Sequence, residues 1–248
     1  MKITEVAPDV FAVEGQTVNW TLIAEGDALT LVDAGWPGYF DDVIASISEI
    51  GHRPADVEAV IVTHAHVDHI GSLPRLLEQH PVPVLLSPTE ARHARREYLE
   101  QAGTADVVRN LWRPRVLPWA LHMMRNGAMD DPGVPEATDF GPEGGTGDVI
   151  DVPGRPVPIA TPGHTSGHTA YLVPDARVLL TGDALVTGHP LAASTGPQKL
   201  MDFFHHDVDA MDASLDVIAE VDADAIVPGH GPVFRGSPRD AVAELRRG

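Results

Sequence analysis

The 248-residue chain has no cysteine. That excludes disulfides and thiolate metal ligands together, so any metal here must be held by His, Asp or Glu. Cations are scarce as well: 17 Lys and Arg stand against 36 Asp and Glu, a formal net charge of −19. Such a surface repels a polyanion, so nucleic acid is not an expected partner. Basic residues do cluster at 92-RHARR-96 and 109-RNLWRPR-115, which read as solvated helix faces and a loop. No apolar run approaches the roughly 20 residues that cross a bilayer, and no short-period repeat or low-complexity tract is visible. The opening MKITEVAPDVFAVEG lacks the apolar core of a secretory leader. The expectation is a cytoplasmic protein that does not associate with membranes, folded as one domain over residues 1–248.

What the chain does have is alternation. Short apolar strands are predicted at 10–15, 18–26, 28–35, 57–63, 82–87, 157–162, 169–173, 177–182 and 224–229. Between them, Phe40, Val43, Ile44, Ile47 and Ile50 recur at helical spacing and stop at Gly51. Ser72 and Pro74 open a second helix, and Val208, Met211, Leu215 and Ile218 mark one face of a third. Strands alternating with helices imply α/β layers rather than a bundle or an all-β sandwich. The stretch 88–148 breaks the rhythm. After a helical start it carries Trp112, Trp119, Met123, Met124, Met129 and the glycine-rich 141-GPEGGTG-147. This partly helical insertion reads either as a lid or pocket wall or as packing filler.

Residues that bind metals gather where strands end: Asp33, then His64, His66, Asp68 and His69 in 64-HAHVDH-69, then His164, Asp183 and His230. Strands of an α/β sheet deliver such groups to one edge. One turn cannot bring four groups to a single ion. Groups from four strand ends suit two ions about 3.5–4 Å apart, the spacing of paired-metal hydrolases.

HAHVDH, followed by 161-TPGHTSGH-168, 181-TGDAL-185 and 228-PGHG-231, resembles the metallo-β-lactamase superfamily over nearly the whole chain, least in the insertion. The resemblance implies a four-layer αββα sandwich with metals at one edge. By position it assigns His64, His66 and His164 to one metal, Asp68, His69 and His230 to the other, and Asp183 as the bridge. Asp33 becomes a support behind the ligands, and His168 a structural hydrogen-bonding residue. His52, His80, His93, His122, His189, His205 and His206 match no ligand position, although the pair at 205–206 precedes the last long helix and has access to a pocket.

The implied enzyme is a dinuclear zinc-dependent hydrolase, with iron or manganese able to fill similar shells. A hydroxide between the metals would attack an ester, thioester or lactone of a small-molecule substrate, with Asp68 orienting it or shuttling a proton. His66 stands where the diiron flavoprotein relatives have Glu, which disfavours oxygen reduction. The likeness runs towards glyoxalase II and the lactonases, but the helical carboxyl-terminal domain of glyoxalase II is not expected after His230. A substrate-facing tyrosine of the lactonase kind has only Tyr98 as a candidate between Tyr39 and Tyr171. The alternatives are a persulfide dioxygenase-like oxygenase with one iron, a β-lactam hydrolase, and a non-catalytic metal-binding module. For the substrate pocket, the tryptophans and methionines of the insertion suggest an apolar wall, whereas Arg92, Arg95, Arg96, Arg113 and Arg115 suggest a carboxylate or phosphate site.

Overall fold

A computed structural model describes residues 1–130, 132–141 and 148–247. The glycine-rich 142–147 of the insertion lie outside the described residues. Two sheets form its centre. The first runs in the order β1 (Lys2–Ala7), β2 (Val10–Glu14), β3 (Asn19–Glu25), β4 (Ala28–Val32), β5 (Val57–Ile61), β6 (Val84–Leu86) and β7 (Thr138–Asp139). Its first four strands pair antiparallel, and β4 through β7 are parallel. The second sheet holds β8 (Val157–Ala160), β9 (Thr169–Val173), β10 (Val178–Gly182), β11 (Ala225–Pro228) and β12 (Phe234–Arg235), in spatial order from β8 to β12.

Side-chain alternation explains the layering. In β10, Val178 and Leu180 face the other sheet while Leu179 faces a helix layer; in β11, Ala225 and Val227 oppose Ile226 in the same way. Both faces are buried, so these strands read as unbroken apolar runs. Between the sheets, Val10, Ala12, Ile23, Val32 and Ile61 meet Tyr171, Val173, Val178, Leu180 and Val227. Outside the first sheet, α1 (Phe40–Glu49) and α3 (Leu73–Gln79) place Phe40, Val43, Ile47, Leu73 and Leu76 against Trp20, Leu22, Leu31 and Val60. Outside the second, α7 (Val208–Ala219) and α8 (Pro238–Leu245) bring Met211, Leu215, Ile218 and Val242 onto Leu179 and Ile226. The order is helix, sheet, sheet, helix, as the resemblance implies.

Three short or edge strands, β1, β7 and β12, carry too little apolar signal to be predicted. The helical start of the insertion is shorter than its sequence suggests: α4 (Pro88–Ala94) ends before Arg95. Beyond it the insertion forms α5 (Thr104–Asn110) and α6 (Val116–Arg125), and so is more regular than its prolines suggest. Asp68 and His69 sit on the one-turn helix α2 (Val67–Ile70) rather than in an open turn. No helix among the described residues is long and apolar enough to cross a membrane.

Ties between the sheets run directly behind the histidine loops. The buried Tyr171 hydroxyl donates to the Val62 carbonyl (2.7 Å), and Thr169 N–H donates to Thr63 O (3.0 Å). Asn19 Nδ2 donates to Pro228 O (2.9 Å) and Gly231 O (2.7 Å), clamping the turn that carries His230. Tyr171→Phe keeps the ring and leaves a buried carbonyl without its donor, so it is expected to cost about 1–3 kcal/mol in urea denaturation; unchanged stability would contradict this role.

Candidate metal centre

All seven predicted ligand residues converge at the edge where β4, β5, β10 and β11 end. His64 and His66 lie in the loop after β5, Asp68 and His69 on α2, His164 in the loop before β9, Asp183 next to β10 and His230 beyond β11. His64 and His69 are fully buried, and His164, Asp183 and His230 are 2%, 3% and 4% exposed. Two triads form. The inward atoms of His64, His66 and His164 lie within 4.8 Å of one another, and so do those of Asp68, His69 and His230. Asp183 stands between them: its Oδ2 is 3.4 Å from His164 Nε2 and 3.2 Å from His230 Nε2, and its Oδ1 is 3.5 Å from His69 Nε2. Gly229 permits this approach, since a Cβ there would lie 2.2 Å from Asp183 Oδ1.

Three inward atoms, His64 Nε2, His69 Nε2 and Asp183 Oδ1, are buried with no hydrogen-bond partner. Each would cost about 1–3 kcal/mol if it stayed unsatisfied. Imidazole nitrogens and carboxylate oxygens facing a common centre are a donor set for a divalent cation, so the residues fit a metal.

The outward nitrogens are all engaged, which sets each ring's tautomer. His66 Nε2 donates to Glu100 O (2.6 Å), His69 Nδ1 to Asp33 Oδ2 (2.8 Å) and His230 Nδ1 to Thr17 O (2.5 Å). His164 Nδ1 is 3.3 Å from His205 Nδ1; His205 Nε2 donates to Leu200 O, so its Nδ1 accepts. The Thr63 hydroxyl gives its proton to Asp33 Oδ2 (2.8 Å) and turns a lone pair to His64 Nδ1 (3.1 Å). Asp33 Oδ1 accepts the Thr63 N–H (2.8 Å). Asp33 therefore aims two rings, one directly and one through Thr63.

Charge divides the centre. Burial pushes His64 and His164 well below the usual imidazole range, and neighbouring imidazoles push further; burial also lowers His66. Neutral imidazole is the ligand form. His69 and His230 are raised instead: burial opposes their charge, but Asp33 and Asp183 outweigh it for His69, and Asp183 for His230. Asp183 is held well below the carboxylate range, since His230 and His69 outweigh its burial.

Several supports had no sequence signal. Buried Glu90 accepts from Ala65 N–H (2.7 Å), Gly167 N–H (3.2 Å) and His93 Nδ1 (3.1 Å), joining the HAHVDH loop to the TSGH loop. Glu100 accepts from Ser166 N–H (2.7 Å) and from the Ser166 hydroxyl. In sequence, both glutamates look like solvent charges of a basic helix. His168 takes its expected structural place: its Nδ1 pairs with Thr161 Oγ1 (2.8 Å) and its Nε2 accepts the Asp183 N–H (3.1 Å). Burial brings its pKa down to about 4.

A cavity of about 440 Å³ opens over the centre. Trp119, Met123, Met124 and Met129 of the insertion line it, together with Trp36, Val107 and Phe204. Trp112 does not join them; it is 77% exposed. None of the five arginines suggested for an anion site lines the cavity. Tyr98 turns away, donating to Thr89 O and stacking on His93, so it does not face substrate. His205 lies behind His164 and His206 is exposed, so neither lines the cavity. His189 does. Its Nδ1 accepts the Leu191 N–H (3.2 Å), its ring lies 5.2 Å from that of His230, and burial lowers its pKa to about 3.

The sequence model of the metallo-beta-lactamase superfamily matches residues 13–230, and the chain belongs to that superfamily. Among its relatives is a probable metallo-hydrolase, YflN, of Bacillus subtilis (strain 168), 26% identical over 261 residues that cover 97% of this chain and 91% of that protein. Metallo-beta-lactamase domain-containing protein 1 of Xenopus laevis is 31% identical over 93% of this chain and 76% of its own length. The structure of a metallo-beta-lactamase family protein from Thermus thermophilus superposes with a TM-score of 0.65 at 22% identity, covering 98% of this chain and 80% of that one. That of the metallo-beta-lactamase SMB-1 in complex with mercaptoacetic acid superposes with 0.68 at 16%, covering 100% and 94%. These structures show the shared fold. Membership and the relatives support a hydrolase whose His and Asp clusters fit a divalent metal.

Two outcomes are expected. Asp33→Asn should weaken metal binding about 10–100-fold in competition with a zinc-chelating dye, because two rings lose their anchor; undiminished affinity would argue against it. His168 binds its proton less readily folded than unfolded. Its stabilisation is therefore complete above pH 6.5 and lost as pH falls toward its folded pKa of about 4. In metal-free protein the urea midpoint of the wild type should fall relative to that of His168→Gln across that window, by an amount on the order of 3 kcal/mol; a constant gap would contradict it.

Proposed function

We propose that the protein is a dinuclear zinc hydrolase that cleaves an ester, thioester or lactone bond of a small-molecule substrate. The observation that carries this reading is the pair of triads flanking one shared carboxylate, with three buried inward atoms left unpartnered. His64, His66 and His164 would hold one cation and Asp68, His69 and His230 the other, with Asp183 contributing to both. Such cations supply Lewis-acid polarisation of a carbonyl and acidify water toward neutrality.

The chain's own residues do the rest. The cavity positions the acyl group against the buried edge, where exclusion of water strengthens every electrostatic contact. Asp68 is the most open carboxylate of the centre, its side chain 16% exposed against 3% for Asp183. It lies 3.6 Å from His230 Nε2 and borders the cavity, a place from which it can accept a proton from the nucleophile and pass it to the leaving group. His189 offers its Nε2 proton from the cavity wall, since Nδ1 is occupied as an acceptor. No cysteine or serine nucleophile is required.

A hydroxyacylglutathione hydrolase of Enterobacter sp. (strain 638) is 26% identical over 68% of this chain and 47% of its own length, which supports acyl hydrolysis as the reaction class. EDTA is expected to abolish hydrolysis of activated esters and zinc to restore it, with two ions per chain by elemental analysis. Asp68→Asn should lower kcat by about 10²–10⁴. Activity indifferent to chelation, or a single iron with visible absorption, would overturn the proposal.

A further inference from the structure

We propose that the cavity selects a neutral, apolar acyl group, so that the substrate is an ester or lactone carrying no anion distal to the scissile carbonyl. This rests on the acyl-hydrolase reading above and narrows it. The walls are largely apolar: Trp36 from the loop after β4, Val107 from α5, Trp119, Met123 and Met124 from α6, and Phe204 from the segment before α7. The polar groups away from the centre are Thr17, Gln101, Thr104 and His189. Not one of the chain's 17 Lys and Arg borders this space, and the residues outside the described set include none.

Four of the five arginines suggested for an anion site are committed elsewhere. Arg92 and Arg95 pair with Glu97 (3.0 and 2.8 Å), Arg96 donates to Pro132 O (2.8 Å) and Ala65 O (3.2 Å), and Arg115 donates to Ala192 O. Among the described residues, the carboxylates facing the cavity are those of Asp68 and Asp183 at its floor. A distal carboxylate, phosphate or sulfonate would have to leave water with no cation in the wall to receive it. An alkyl chain gains from the same surface, roughly in proportion to the area it buries. The volume lies within the range of pockets that enclose a small organic ligand, and the methionines let the wall follow chains of different length.

The test compares p-nitrophenyl esters from acetate to octanoate with mono-p-nitrophenyl esters of dicarboxylic acids of matched length, on zinc-loaded full-length protein. The expected result is a rise in kcat/KM of about three- to fourfold per methylene until the cavity is full, with each ω-carboxylate ester at least tenfold poorer than its neutral counterpart. Met124→Arg places a cation in the wall at a position already 61% exposed, and should improve the ω-carboxylate esters at least tenfold. A flat chain-length profile, or equal rates for the neutral and charged series, would overturn this inference while leaving the hydrolase reading intact. Failure to hydrolyse any ester would overturn the hydrolase reading instead. In that case quenching of Trp36 and Trp119 fluorescence still decides the inference: saturable quenching by octanamide and none by its ω-carboxylate analogue supports it, and equal quenching overturns it.

Discussion

The bond on which the rest of this molecule depends is the one from Asp33 to the histidine loop. A single carboxylate, 4% exposed, accepts the Thr63 N–H, the Thr63 hydroxyl and His69 Nδ1. Three donors satisfy the buried charge, and the geometry they impose turns His64 and His69 inward. The backbone at Asp33 adopts φ of 60°, a conformation that non-glycine residues rarely take. There the chain leaves β4, and its next amide, Ala34 N–H, donates to the His69 carbonyl (2.7 Å). Strand end, aspartate and α2 are thus one hydrogen-bonded unit.

A second set of braces holds the opposite side. Glu90, His93 and Glu100 join α4 to both histidine-bearing loops, ending at His66 Nε2. Gly163, with φ of 131°, lets the His164 loop press on α7, where a Cβ would lie 2.3 Å from Met211 N. The backbone of His206 and Asp207 donates to His164 O and Gly163 O. Every ligand loop is therefore anchored to an element packed in a helix layer or a sheet. Polar groups buried this deeply are tolerable only when fully partnered, so the few inward atoms without partners mark where a cation belongs.

The same logic separates the centre from the space above it. The centre concentrates carboxylates and imidazoles, whereas the cavity over it, built largely by α5 and α6, is apolar and free of cations. A protein of net charge −19 already repels anions at long range; an uncharged wall extends that discrimination to contact distance. The strand ends thus supply the His and Asp groups of the centre, and the insertion supplies much of the wall above it.

The residues of the centre were legible in the sequence because their spacing reports local geometry: HAHVDH follows an apolar strand, and His164, Asp183 and His230 each follow another. The α/β layers were legible because apolar runs of strand length alternate with helical periodicity. The short edge strands were not, since pairing alone defines them. Nor were Glu90, His93, Glu100, His189 and His205, whose roles come from partners 7 to 77 residues away or from walls built by other elements. Trp112 and Trp119 look alike in sequence, yet one is solvent-exposed and the other lines the cavity. The sequence by itself determined which histidines and aspartates stand at the strand ends and which strands carry them, because both depend on residue type and near neighbours. Only the tertiary structure decided which way each ring faces, what satisfies its far nitrogen and where the arginines go, because those depend on long-range contacts that no local pattern encodes.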